Sequence, residues 1–290
     1  MTIPRPRRRL ATLAALGAAI LLPSCTGTAD GPPPAAPTSS AGAAQPRPST
    51  PAPAPTREPP PAEGECRGVS IAQLRTIIND EPPVPCGRPH TVVTFHVGRL
   101  PKAATRDAIA PADEEIEAAA DRLCQSRFRD HVGGSRADRR LSMLTATYFL
   151  PPSEQFNAGA RWVRCDVYAY AAPKRLAELP RRLEDALERN RAADRFGRCS
   201  PVSPSSPRFR HVACQEPHRW RAVAIRAVGR PNERYPGLRT VQNRARDRCE
   251  APVRNYLGTQ QGFSYGFEVP QRDAWARDDR VALCWARTGG

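Results

Sequence analysis

Two cysteine–histidine blocks contain the residue types and spacing with which this chain could do chemistry. The first runs from Val84 to His90 and the second from Val212 to His218, and both read Val-x-Cys-x-x-Pro-His. Sulfur and imidazole ligands at such spacing could bind zinc. A free thiol beside a histidine could also act as a nucleophile with its base. Either chemistry requires that Cys86 and Cys214 are not paired in disulfides.

The cysteines fall into two matching sets, which favours pairing. Of nine cysteines in the chain, eight follow its Pro-rich N-terminal part. They are Cys66, Cys86, Cys124 and Cys165 in the first set, and Cys199, Cys214, Cys249 and Cys284 in the second. Each set of four allows three connectivities, and the sequence alone does not choose among them. We favour sequential pairing, because the first two cysteines flank one short excursion and the last two would join a helix to the closing strand.

Metal binding and thiol catalysis are the alternatives for the same residues. Structural zinc sites bring cysteines in close pairs, and no second cysteine lies within four residues of Cys86 or Cys214. Each of the eight cysteines also has a counterpart in the other set, as pairing predicts. We therefore assign no catalytic residue, no metal and no cofactor. His90 and His218 are candidate binding residues, with a structural role at a strand entrance favoured over ligand contact.

Residue periodicity predicts the elements that must position these cysteines. Strands are expected at 91–97, 141–150 and 161–170 around the first set, and at 219–228, 263–269 and 280–285 around the second. A helix that begins at Pro111-Ala112-Asp113 and ends at Gly133 would carry Cys124 on its core face. A matching helix would carry Cys249, and Pro252 should end or kink it, because proline lacks the backbone donor.

The landmarks recur in one order and therefore predict a tandem duplication. The expected fold class is α+β, with two tandem small disulfide-bonded domains at 64–171 and 197–290. Each would be a short antiparallel sheet packed on one main helix. Between them, leucines at three- and four-residue steps predict a linking helix over 172–196. These leucines are Leu176, Leu179, Leu183 and Leu187.

The N-terminal segment predicts export and lipid attachment. Four arginines precede a short apolar run, which is the layout of a signal peptide over 1–24, and the run is too short to span a bilayer. Leu22-Pro23-Ser24-Cys25 resembles the bacterial lipobox, which implies that Cys25 is lipidated and becomes the mature N-terminus. Over 25–63, Pro, Ala, Ser and Thr dominate and predict a disordered, lipid-anchored tether. A plain secreted protein is the alternative.

The order of the landmarks resembles the septum-formation domain family of actinobacteria, over 64–171 and 197–288. The shared pattern is Gly-x-Cys, Val-x-Cys-x-x-Pro-His with a strand, a cysteine-bearing helix, and a proline and an aromatic residue before a closing cysteine. The family's pre-cysteine segment often reads Trp-x-x-Gly-x-Arg. The second copy has Trp275, Asp278 and Arg280 there, and the first has Phe156 at the Trp position. The resemblance implies a non-enzymatic extracytoplasmic module linked to division or envelope assembly, and it transfers no catalytic residue.

Net charge adds a constraint on partners. The formal charge is +15, and removing the four arginines of the signal peptide leaves +11 on the mature chain. Outside the membrane such a chain suits anionic headgroups or envelope polymers, and nucleic acid is not expected there. We expect a lipoprotein anchored on the extracytoplasmic side of the cell membrane that binds or scaffolds an envelope polymer or a membrane protein of the division machinery. The alternative is a cell-envelope hydrolase or a Cys/His zinc-dependent enzyme.

Overall fold

The fold contains two antiparallel sheets, one in each half of the folded chain. This computed structural model describes residues 58–288 except 107, 109 and 190–193. The predicted signal peptide 1–24, the predicted lipidation site Cys25 and tether residues 25–57 lie outside the described residues. What is described is a mixed α+β protein with two sheets and four disulfides.

The first sheet presents two faces of different chemistry. Its strands are β1 (Cys66–Arg67), β2 (Val92–Arg99), β3 (Leu144–Phe149), β4 (Trp162–Ala172) and β5 (Arg175–Leu176). The order is β1-β2-β4-β3, and β5 pairs with the C-terminal end of β4. Because side chains alternate along a strand, Val163, Cys165 and Val167 lie in the main apolar core, and Arg164 and Asp166 between them face the other side.

The second sheet repeats the strand order of the first. Its strands are β6 (Arg198–Ser200), β7 (Val212–Ala213), β8 (Trp220–Ala227), β9 (Tyr265–Glu268) and β10 (Val281–Arg287). The order β6-β8-β10-β9 matches β1-β2-β4-β3, with β7 added outside β6. The first half has a counterpart of β7 in a single bridge between Val84 and Cys66. The strands predicted after each Pro-His pair and before each closing cysteine are thus confirmed, with shifts of a few residues at their ends.

One long helix packs on each sheet, as the periodicity predicts. The helices are α1 (Lys102–Thr105), α2 (Glu114–Val132), α3 (Arg136–Leu141), α4 (Ser153–Asn157), α5 (Leu238–Leu257) and α6 (Arg272–Ala276). At the start of α2, the Asp113 side chain accepts a hydrogen bond from the backbone amide of Glu115. At its end, Gly133 leaves the helical conformation with a φ of 67°. Both predicted boundaries are confirmed. Among the described helices, none combines the length and the apolar character needed to cross a membrane.

Helix α5 does not end at Pro252, so the ending that the proline predicted is wrong. The helix continues for more than a turn beyond the proline to Leu257. Val253 is fully buried, and Leu257 packs against the same cluster as Cys249. This apolar contact offsets the backbone hydrogen bond that the proline removes.

The linking helix predicted over 172–196 is wrong for the described residues 172–189, and residues 194–195 are helical. Residues 175–176 form strand β5, and no helix occurs within the described residues 177–189. The leucine spacing reflects burial instead, because Leu179, Leu183 and Leu187 all lie in the first half's main core.

The backbone of that segment is held by other parts of the first half. The amide of Leu179 donates to the carbonyl of His90, and the amide of Leu187 donates to the carbonyl of Val132. A positive φ of 50° at Asp185 is incompatible with a continuous right-handed helix. Tertiary hydrogen bonds therefore override the local helical pattern.

The two halves pack into one compact unit, whereas the sequence predicts two tandem domains. Ser142 pairs with Gly197 in an isolated β-bridge. Arg140 of α3 binds both carboxylate oxygens of Asp279 at 2.6 and 2.7 Å. Leu141 packs beside the aromatic cluster of the second sheet. Helix α3 therefore belongs to the first half of the chain and packs against the second half.

A partly buried polar chain completes this junction. Arg198 donates to the carbonyl of Ser142 at 2.9 Å and to Nδ1 of His211 at 3.2 Å. A guanidinium only donates, so Nδ1 must carry the lone pair and Nε2 the proton. His211 Nε2 then donates to Glu268 at 2.7 Å. Burial alone would favour the neutral acid, but His211 and the guanidinium groups of Arg198 and Arg140 lower the pKa of Glu268.

Glu268→Gln tests this chain. A lowered folded-state pKa adds stability above the ordinary glutamate pKa of about 4.3, and this stability is lost as pH falls through the folded-state value. The variant should be less stable than the wild type at neutral pH, and the difference should shrink in acid. Urea unfolding across this range measures it. A difference that stays constant with pH would contradict the assignment.

A repeated turn precedes the closing strand of each half. The guanidinium of Arg161 lies 3.8 Å from the Phe156 ring centroid, and that of Arg280 lies 4.3 Å from the Trp275 ring centroid. Each arginine also donates to the carbonyl of its aromatic partner. Between them the backbone turns left-handed, with φ 90° at Gly159 and φ 63° at Asp278. The glycine of the Trp-x-x-Gly-x-Arg pattern is therefore explained by its backbone conformation.

Gly159→Ala should destabilise the protein by about 1–2 kcal/mol, because a Cβ is disfavoured at positive φ. A Cβ at Gly159 would meet no atom within 4 Å, so the conformation alone is responsible. Gly87→Ala is the matched control, since Gly87 also has open space but no positive φ. Guanidinium unfolding should show the loss for the first variant only; equal effects would refute the explanation.

Candidate functional site

The structure joins the eight cysteines in sequential pairs. Cys66 is bonded to Cys86, Cys124 to Cys165, Cys199 to Cys214, and Cys249 to Cys284. In each half the second bond fastens the long helix to the closing strand. No cysteine in the described part of the chain is left as a thiol.

His90 and His218 occupy the same structural place. In each, Nδ1 lies 2.8 Å from the carbonyl oxygen two residues earlier, on Arg88 and Glu216. Because a carbonyl only accepts, Nδ1 carries the proton. His90 is buried at the entrance of β2, while His218 is half-buried. Both imidazoles stabilise the turn between the disulfide and the strand.

The His218 ring also lies near a disulfide. Its nitrogen and the sulfurs of Cys199 and Cys214 are all within 4.8 Å of one another. Metal binding by cysteine requires thiolates, and these two sulfurs are bonded to each other. In this form the cluster is an imidazole beside a disulfide.

A groove on the first half is the candidate functional site. It has a volume of about 600 Å³ and lies where five segments meet. These are residues 58–61, the region of strand β1, the loop 79–83, the start of helix α4 and the start of strand β4. Concave sites with a few convergent polar groups are the usual places of ligand binding.

A buried charged network underlies this groove. Arg164 Nε donates to Asp166 Oδ2 at 3.1 Å, and both side chains are almost fully buried. The other oxygen, Asp166 Oδ1, accepts from the Thr94 hydroxyl at 2.8 Å. Arg67 in turn donates to Thr94 Oγ1 at 3.0 Å. Two cations and one carboxylate are therefore linked through a hydroxyl beneath the sheet surface.

The Arg164 guanidinium also has partners on the side away from Asp166. Its Nη2 donates to Asn79 Oδ1 at 2.7 Å, and its guanidinium lies 4.5 Å from the Phe149 ring centroid. Burial lowers the pKa of Arg164 from its ordinary value, and Asp166 acts in the opposite direction. The side chain is thus a fixed structural cation whose charge is matched inside the fold.

The equivalent face of the second sheet is apolar. Thr94 lies opposite Asp166 across β2 and β4, and Ala222 lies opposite Trp285 across β8 and β10. Trp285 takes the place of Asp166 and is fully buried. It packs beside Leu283, which takes the place of Arg164. The same sheet position thus carries a charged network in one half and an aromatic core in the other.

The sequence reasoning missed this network. Its signal was present in β4, where Arg164 and Asp166 alternate with Val163, Cys165 and Val167. Two opposite charges on one face of a predicted strand indicate a buried or liganded pair when that face is covered. The cover, residues 68–83, has no periodicity and could not be placed from the sequence.

Comparison of the sequence with models of known protein families identifies the family of this chain. Residues 102–284, more than half of the chain, match the family model described as septum formation. The chain belongs to the septum-formation family. No curated protein and no solved structure matches it. The septum-formation match begins at α1 and ends at Cys284, so it spans both helix-to-strand disulfides, whereas the groove segments 58–61 and 79–83 precede it.

Asp166→Ala should lower the free energy of unfolding by about 3–5 kcal/mol, because it leaves the buried guanidinium of Arg164 without its counter-charge. The double variant Arg164→Leu/Asp166→Ala should be less destabilised than the single variant, although it removes more atoms. Denaturant unfolding of both measures this. Additive losses in the double variant would show that the two charges are not coupled.

Proposed function

We propose that this protein is a non-enzymatic lipoprotein on the extracytoplasmic side of the cell membrane, where it binds or scaffolds a partner during septum formation. The family links the chain to septum formation. The groove on the first half offers a surface for a partner. The partner would be an envelope polymer or a membrane protein of the division machinery, not nucleic acid.

The disulfides are the observation that carries this proposal. All eight cysteines of the folded part are paired, and Cys25 is the one cysteine of the sequence that precedes that part. Disulfides persist in oxidising compartments, which agrees with a signal peptide ahead of Cys25. Lipidation would use Cys25, which precedes the four disulfide-bonded pairs.

We further infer that the two halves are tandem copies of one unit. The strand order, the position of both disulfides, the histidine turn and the arginine–aromatic turn recur in both. Independent origins would not reproduce all four features. The copies have since acquired different sheet faces, which supports separate roles for the two halves.

The way in which the reactive groups are used supports a non-enzymatic role. Asp166 accepts hydrogen bonds from Arg164 and Thr94, and both histidines with counterparts stabilise turns. A catalytic carboxylate or imidazole must reach the substrate proton that it transfers. Asp166 is fully buried, so it serves the fold instead.

Intact mass spectrometry tests the anchor and the pairing together. The full chain, produced in a bacterium that processes lipoproteins, should carry a diacyl or triacyl group on Cys25. The other eight cysteines should alkylate only after reduction. Cys25→Ser is the matched variant, which should lose the lipid and leave the membrane fraction while its eight cysteines stay protected.

Three outcomes would contradict the proposal. A mature chain without lipid would remove the anchor, and alkylation of any of the eight cysteines without reduction would return thiol or metal chemistry at Cys86, His90, Cys214 and His218. A fluorescent fusion that spreads evenly over the envelope, without concentration at division sites, would contradict the role in septum formation.

A further inference from the structure

The groove on the first half is acidic, although the chain as a whole is strongly basic. Five of its lining residues are carboxylates, namely Glu58, Glu65, Asp80, Glu81 and Glu154. Its two arginines, Arg67 and Arg164, are already neutralised by Glu65 and by Asp166. The remaining four carboxylates form no ion pair within the described residues. The groove is thus a local exception to a mature charge of +11, obtained from +15 less four signal-peptide arginines.

The walls of the groove offer acceptors in excess of donors. Pro59, Pro60 and Pro61 form one side, and Pro82 and Pro83 line another. Proline has no backbone N–H, so these stretches present carbonyl oxygens alone. Ionised carboxylates also only accept. A ligand that fits must therefore bring donors, and guanidinium and ammonium groups bring donors with positive charge.

Polar atoms at the groove lack partners inside the fold. Asn79 is 8% exposed, and its Nδ2 has no acceptor among the described residues. Trp162 Nε1 is likewise a donor without a partner, and Gln155 Oε1 is an acceptor without one. Buried polar atoms are normally paired, so each exception calls for an explanation, and a bound ligand or ordered water is one. These three atoms are buried in the free groove, and a peptide backbone has both the C=O and the N–H groups that could pair with them.

The groove is also built to lose little entropy on binding. Its proline walls have fixed φ angles, and the disulfide Cys66–Cys86 closes the loop that carries residues 79–83. Arg67 holds this loop in addition, since its Nε donates to the carbonyl of Glu81 at 3.0 Å. A preformed acceptor surface binds an extended segment without first having to order itself.

We infer that this groove binds an extended peptide segment of a partner protein that carries arginine or lysine side chains. This inference rests on the proposed binding role and specifies its surface and the chemistry of its partner. The carboxylates would pair with the cationic side chains, and the unpaired amide, indole and carboxamide atoms would bind the peptide backbone.

Isothermal titration of the full chain with acetyl-tetra-arginine amide tests the inference. Binding should be measurable at about 50 mM salt and strongly weakened at about 0.5 M, because exposed ion pairs are screened. Acetyl-tetra-glutamate amide and neutral chitotetraose are the comparison probes. Tighter binding of either probe would overturn the assignment to a cationic peptide.

The groove variant is Asp80→Asn/Glu154→Gln, and its control is Asp247→Asn/Asp273→Asn. Both pairs are exposed and change net charge by the same amount, but the control pair lies in the second half. The groove variant should weaken tetra-arginine binding about three- to twentyfold, and the control should leave it unchanged. Equal weakening by both would show general charge attraction and would overturn the site.

Three further outcomes separate the alternatives. Self-association of the chain that the groove variant abolishes would assign the groove to a second copy and overturn the assignment to a partner protein. Absence of tetra-arginine binding to a protein that is lipidated and located at the septum would remove this inference and leave the proposed function intact. Conversely, if the chain is not lipidated but binds the peptide, the proposed function would be contradicted and the inference about the groove would stand.

Discussion

The disulfide between the long helix and the closing strand is the constraint on which each half depends. Cys124–Cys165 closes a loop with a sequence separation of 41, and Cys249–Cys284 one of 35. In the chain-entropy model each such bond contributes about 4 kcal/mol by restricting the unfolded chain. It also fixes which face of the sheet meets the helix, because the cysteine lies on that face. The opposite face is then free to vary.

That freedom explains how two similar units differ. In the first half the opposite face carries the Arg164–Asp166 pair and lies under the acidic groove. In the second half Leu283 and Trp285 replace the pair, and helix α3 from the first half packs nearby through Leu141. The face in the second half is an internal interface with Leu141, and the face in the first half lies under the groove. This difference between the two faces is compatible with the same covalent constraint on the helix side.

Much of this fold was predictable from local residue patterns, and the exceptions have physical causes. The boundaries of α2 followed from Asp113 and Gly133, and the closing strands from alternation before Cys165 and Cys284. The prediction of a linking helix was wrong because the backbone amides of Leu179 and Leu187 form tertiary hydrogen bonds, while their side chains are buried in the core. Pro252 did not end α5, because Val253 remains buried beyond it. The groove was not predictable, since it joins segments whose meeting depends on the Cys66–Cys86 bond.

The central claim is that the two halves are closed by the same pair of bonds. Peptide mapping of the unreduced protein by mass spectrometry tests this most directly. The account predicts linked peptides for Cys124 with Cys165 and Cys249 with Cys284, together with Cys66–Cys86 and Cys199–Cys214. A bond between the halves, or a link from Cys66 to Cys165, would contradict both the repeated fold and the free sheet face derived from it.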